Sequence, residues 1–122
     1  MKINLLIINL FFLCFLEAQL SDSTLSYNES FELAIKHFQN RRYQLAEQGF
    51  KNILIEQRNF EDPVSHFMLA TSQFHQNKMI DCKRTCESYL NKYPNSKYDF
   101  NVKIMLSDIL ILKEKYSYVL EQ

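Results

Sequence analysis

A single glycine, Gly49, is the tightest constraint on what this chain of 122 residues can fold into. Average usage is about 7% glycine. Phosphate-cradling loops, tight hairpins and barrel corners need glycine wherever the backbone takes positive φ or comes close to a ligand. One glycine cannot build a dinucleotide-binding loop, a Walker loop or a many-stranded sheet. Nucleotide-binding α/β folds and β-sandwiches are therefore disfavoured, and an all-α fold is expected. The length suits one domain. Fourteen basic side chains balance fourteen acidic ones, for a formal net charge of zero. A general nucleic-acid binder usually carries a basic excess, so the charge argues against that class. What remains is a helical, aromatic-rich module that faces other proteins.

The N-terminus reads as a targeting segment. Met1 and Lys2 make a short positive start, and residues 3–16 are apolar except for Asn4 and Asn9. A bilayer-spanning helix needs about 20 residues. This shorter run suits the apolar region of a secretory signal peptide. Glu17-Ala18-Gln19 places a small residue before a polar one, so cleavage after Ala18 is expected. Residues 1–18 are thus read as a signal peptide and residues 19–25 as a polar linker. An uncleaved anchor and a buried N-terminal helix are the alternatives. A lipoprotein is not expected, because Cys14 follows Phe12 and Leu13 rather than a small residue. Removing the segment takes one lysine and one glutamate, so the remainder stays neutral.

The remainder is repetitive. Ala34, Phe38, Tyr43, Ala46 and Phe50 are matched 36 residues later by Ala70, Phe74, Met79, Cys82 and Cys86. A further step of 37 reaches Ser107, Ile111, Tyr116 and Val119. Each copy reads small, large, large, small at the same internal spacing. This pattern resembles the tetratricopeptide repeat, a helix–turn–helix unit of about 34 residues. The resemblance covers residues 26–122, in units of about 27–61, 62–98 and 99–122. It implies an antiparallel helix-pair solenoid of about two and a half repeats. The sequence departs from the family pattern at the turn glycine, where Arg41, Asn77 and Glu114 stand instead. The run Tyr89-Leu90-Asn91-Lys92-Tyr93-Pro94-Asn95-Ser96 is similar to the inter-repeat link of periplasmic tetratricopeptide proteins of outer-membrane assembly and envelope coordination.

Local signals agree with helix pairs. Ser26 and Glu29 form a capping box. Phe31, Ala34, Ile35 and Phe38 then share one helix face. Asn40-Arg41-Arg42 makes a turn, and Tyr43, Ala46, Phe50, Ile53 and Leu54 stripe a second helix. Asp62-Pro63 is another helix start. Phe67, Ala70 and Phe74 stripe the third helix; Met79, Cys82, Cys86, Tyr89 and Leu90 stripe the fourth. Tyr93-Pro94 ends it. A fifth helix is predicted over residues 97–112, then a turn, then a further helix from about Tyr116. The large residue matching Phe50 and Cys86 would fall at position 123. The last unit is therefore read as incomplete, and the chain as an N-terminal piece of a longer array. A short-docking last helix and self-association through the uncapped C-terminal end are the alternatives.

No catalytic set is expected. Cys82 and Cys86 sit at i and i+4, but zinc needs two further ligands, and regular helical geometry disfavours a disulfide between them. Both fall on core positions of the repeat and are read as packing, with a redox-sensitive pair as the alternative. His37 and His75 lie near turns with no nucleophile matched to them. Glu61 and Asp62 precede a helix start, where carboxylates suit the helix dipole. No cofactor, metal or small-molecule substrate is expected.

The family resemblance implies that the first helices of successive units line a concave groove. By matching positions it would hold Asn28, Phe31, Ile35 and Phe38 from the first unit. Val64, Phe67, Thr71 and Phe74 come from the second, and Asn101, Ile104, Asp108 and Ile111 from the third. Such a face suits an amphipathic helix or an extended apolar peptide. The expected function is an exported protein–protein interaction scaffold of the bacterial cell envelope, in the periplasm or at the outer-membrane periphery. The alternatives are a structural segment of a larger envelope protein with no ligand of its own, and the accessory region of a truncated enzyme.

Overall fold

The computed structural model describes residues 25–58 and 60–121, the Val119 side chain aside. The expected signal peptide and most of the expected linker lie outside the described residues. Among the described residues five helices follow one another: α1 (Tyr27–Gln39), α2 (Tyr43–Glu56), α3 (Pro63–His75), α4 (Met79–Lys92) and α5 (Asp99–Glu121). There is no strand among the described residues. Each helix packs on the next, and α3 also touches α5. None of the described helices is long and apolar enough to cross a membrane.

The starts form where the sequence signals place them. The Ser26 side chain accepts from the Glu29 amide, and the Glu29 carboxylate accepts from the Ser26 amide. Asp62 caps α3 by accepting from the Ser65 amide at 3.0 Å, with Pro63 in the first turn. Tyr93 closes α4.

The two tight turns are built alike. Arg41 and Asn77, thirty-six residues apart, both have φ of 58°. At the first, the Arg42 amide donates to His37 O and the Arg41 amide to Phe38 O. At the second, the Lys78 amide donates to Gln73 O and the Asn77 amide to Phe74 O. This is the Schellman ending of a helix, in which a left-handed residue lets two amides turn back onto the last carbonyls. Glycine usually holds that position; here an arginine and an asparagine do.

Small residues set the helix spacing. Ala34, Ala46 and Ala70 are all buried. Gly49 faces Ala34 so closely that a Cβ on it would lie 2.9 Å from the Ala34 Cβ. The lone glycine therefore serves the approach of α1 to α2, not a turn. Ala34, Ala46, Phe50, Ile53 and Leu69 form one core, and Ala70, Cys82, Cys86, Tyr89, Tyr93, Val102 and Ile109 form another. The helix α3 lies between them and gives Leu69 to the first and Ala70 to the second.

The third copy departs from expectation. The helix α5 runs unbroken to Glu121, past the predicted end at residue 112 and the predicted turn before Tyr116. Lys113, Glu114 and Lys115 are good helix formers. Continuing the helix through them avoids the left-handed residue that a turn would need at Glu114. Ser107, read as the third copy's small contact residue, is exposed, and its hydroxyl donates to Lys103 O. The side of α5 that packs instead carries Val102 and Ile109, with Met105 and Leu106 partly covered.

Candidate functional site

Two helices bring half of the predicted groove together. Phe67, Thr71 and Phe74 project from α3, and Asn101, Ile104 and Asp108 from α5, around an open groove of about 480 Å³. Phe100 and Met105 complete its lining. Spacing of three and four on each helix puts these side chains on one face. Contact between α3 and α5 then aligns the two faces. Phe67 is held by stacking on Tyr98, with ring centroids 4.7 Å apart and planes 6° from parallel. The Thr71 hydroxyl donates to Phe67 O at 2.9 Å, so its polar end is already satisfied.

The first unit's residues serve packing. Phe31 meets the Phe50 ring edge-on, and Phe38 meets both Tyr43 and His75 edge-on. Ile35 packs against the first core. Asn28 is exposed, and neither it nor Val64 nor Ile111 lines the α3–α5 groove. Phe100 was not anticipated. It lies four residues before Ile104 on a helix, and that spacing is the signal that could have found it.

Asp108 is the one ionisable residue among those that line the groove. The remaining lining is aromatic and aliphatic, apart from Thr71 and Asn101. Such a surface can take apolar anchors, orient them through the Asn101 amide, and favour a cation beside Asp108. It has no cluster of cationic side chains with which to clamp a terminal carboxylate.

The buried polar groups elsewhere join the helix pairs. Glu47 on α2 is nearly inaccessible and lies 2.7 Å from Lys78 Nζ and 3.4 Å from Lys51 Nζ. Burial pushes its pKa up, but hydrogen bonds from Lys78 and Gln73 and the Lys51 charge outweigh it, so the carboxyl is held below its usual range. Gln76 donates to Tyr43 O across the same junction. Asp62 makes a second link: the Tyr27 hydroxyl donates to it at 2.8 Å, and its own amide donates to the Tyr93 hydroxyl at 3.2 Å. Burial, together with the Asp62 carboxylate, raises the Tyr27 pKa. Neither carboxylate was singled out for such a role from sequence, because the partners are distant in the chain.

Among the described residues the cysteines and histidines lie in packed surroundings. Cys82 and Cys86 are free and fully buried. The Cys82 thiol lies 3.3 Å from Ala70 O and 3.4 Å from Met105 Sδ. A hydrogen bond shared with Cys86, and then burial, push the Cys82 thiol up and keep it protonated. His75 stacks on Tyr43 at 4.6 Å, while His66 sits edge-on to Tyr89 and Tyr93. Among the described residues no three His, Cys, Asp or Glu side chains are placed to hold a metal ion. No protein-family model matches the chain, and a search of curated proteins finds no match.

Proposed function

We propose that the chain is a tetratricopeptide-like adaptor that holds an apolar segment of another protein in the α3–α5 groove. One observation carries this reading: Phe67, Thr71 and Phe74 share an open groove with Asn101, Ile104 and Asp108. The two matching Schellman turns thirty-six residues apart support the repeat reading, as does the stacking of α3 between two cores. The ligand is an amphipathic helix or extended strand with aliphatic or aromatic anchors. A lysine or arginine on it would lie beside Asp108. Work at the cell envelope rests on the N-terminal sequence and on the likeness of residues 89–96 to the inter-repeat link of periplasmic tetratricopeptide proteins, and cleavage after Ala18 in exported protein is its test.

The groove is tested with peptides selected from a random display library on the folded chain. Selected sequences should carry apolar residues at helical or alternating spacing, with a basic residue among them. Ile104→Glu changes an exposed side chain, so the fold should survive it. It should weaken the selected peptides by roughly tenfold or more, about 1.4 kcal/mol. Ile80→Glu, outside this groove, should leave them unchanged. Equal binding to Ile104→Glu and the parent chain would sink the assignment.

A further inference from the structure

The second core differs from the first in its chemistry. Cys82, Cys86 and Met105 stand thirty-six residues after Ala46, Phe50 and Leu69, and each trio belongs to one core. The first trio is all hydrocarbon and joins two successive helices without a heteroatom. The second is all sulfur, in a chain with three cysteines and four methionines. Packing therefore does not require sulfur at these positions, yet all three carry it. A spacing of four puts Cys82 and Cys86 on one face of α4. Both thiols are free and fully buried. Cys82 Sγ lies 3.4 Å from Met105 Sδ on α5 and shares a hydrogen bond with Cys86. The three sulfurs thus form one group around Cys82. The group also has a way in. Met105 is half-buried and lines the open α3–α5 groove, so it joins the buried thiols to an accessible surface.

We propose that Cys82, Cys86 and Met105 bind a soft monovalent metal ion, Cu(I), beneath that groove. Thiolate and thioether ligands favour Cu(I), whereas carboxylate and carbonyl ligands suit magnesium, calcium and manganese. Structural zinc takes four ligands, and this group offers three. The unbranched methionine side chain adapts its shape readily, so Met105 can take up the ion at the groove and pass it inward. In the binding step, copper–sulfur bonds form to Cys82 and Cys86 as thiolates and to Met105 as a neutral thioether. The thiol protons go to solvent, and the copper keeps its oxidation state. Acid therefore opposes binding. The site does not depend on which peptide the groove takes.

Titration of the reduced full chain with Cu(I), in the absence of oxygen, tests the proposal. Cys14, the chain's remaining cysteine, is replaced throughout (Cys14→Ser) so that it supplies no ligand. One Cu(I) per chain should bind in competition with a bicinchoninate chelator and give the ultraviolet charge-transfer band of copper–thiolate bonds. Binding to the folded state should also raise Tm. Two variants import the residues of the first core. Met105→Leu, matching Leu69, nearly conserves volume, so the fold should survive it. It should weaken Cu(I) at least about tenfold. Cys82→Ala, matching Ala46, should abolish the charge-transfer band. Zinc added in excess should displace no copper. A chain that yields all its copper to the chelator overturns the proposal and leaves the sulfurs as packing. Copper held equally by Met105→Leu, or by Cys82→Ala, overturns it as well, and so does copper displaced by zinc.

Discussion

At the scale of single residues, the turns show what a glycine-poor helical chain must tolerate. Arg41 and Asn77 hold left-handed backbone with φ of 58°, and Asn95 does so at 61° before α5. The left-handed region costs an ordinary L-residue roughly 1–2 kcal/mol, and asparagine less than most because its short side chain bonds locally. Glycine removes that cost but adds freedom to the unfolded chain, which takes back roughly 0.4–1 kcal/mol. Arg41→Gly should therefore stabilise the fold by about 0.5–1 kcal/mol, and Asn77→Gly by less. Urea midpoints of the two variants against the parent chain check the size and the order. A larger gain at Asn77 than at Arg41 would contradict the account. The scarcity of glycine is thus a strain held in two turns, each offset by two backbone hydrogen bonds that close a helix end.

At the scale of helices, Gly49 is a packing residue. Alanine is the better helix former by about 1 kcal/mol. Its Cβ would nevertheless lie 2.9 Å from the Ala34 Cβ, an atom fixed to the α1 backbone. Overpacking of that kind costs typically 1–3 kcal/mol. Gly49→Ala should lower stability by about 1 kcal/mol, a fall of several degrees in Tm. Pairing it with Ala34→Gly should recover much of the loss by exchanging the two atoms; a stabilised Gly49→Ala would show that the helices can part freely. The four starts and stops with local chemistry were legible in the sequence: the Ser26 box, the Arg41 turn, the Asp62-Pro63 start and the Tyr93 end all depend on neighbours within five residues. The buried alanines and cysteines were legible too, because repeat spacing marks core positions. The course of α5 was not. Spacing predicted a turn at Glu114, but backbone preference through Lys113, Glu114 and Lys115 acts within the helix and outweighs a pattern copied from the earlier units. Groove residues divided in the same way. Phe67, Phe74 and Ile104 follow from helix register, whereas the use of Phe31 and Phe38 for packing depends on Phe50, Tyr43 and His75 across the helix boundary.

At the scale of the whole molecule, two buried titratable groups tie stability to pH in the same sense. His66 lies between Tyr89 and Tyr93, and burial, then the Lys92 charge, lower its pKa from 6.5. The unfolded chain therefore binds this proton more readily than the folded one. His66 contributes stability that is fully present above about pH 6.5 and is lost as pH falls through the lower folded value. Glu47 is likewise held below 4.5 in the fold, by Lys78, Gln73 and Lys51 acting against burial. Its contribution is present above pH 4.5 or so and is lost as pH falls through its own folded value. Acid should thus weaken the molecule in two stages, first around Tyr89 and Tyr93 and then where α2 meets the end of α3 and the turn that follows it. His66→Phe keeps an aromatic ring between the tyrosines and should flatten the dependence of unfolding free energy on pH between about 7 and 5. Glu47→Gln should cost about 1–2 kcal/mol at pH 7, by replacing charge-assisted hydrogen bonds with neutral ones. It should also remove the part of the decline below pH 4.5 that belongs to this carboxylate. Urea unfolding at a series of pH values separates the stages. If His66→Phe left the slope between pH 7 and 5 unchanged, burial of His66 between the tyrosines would not be what ties stability to pH in that range.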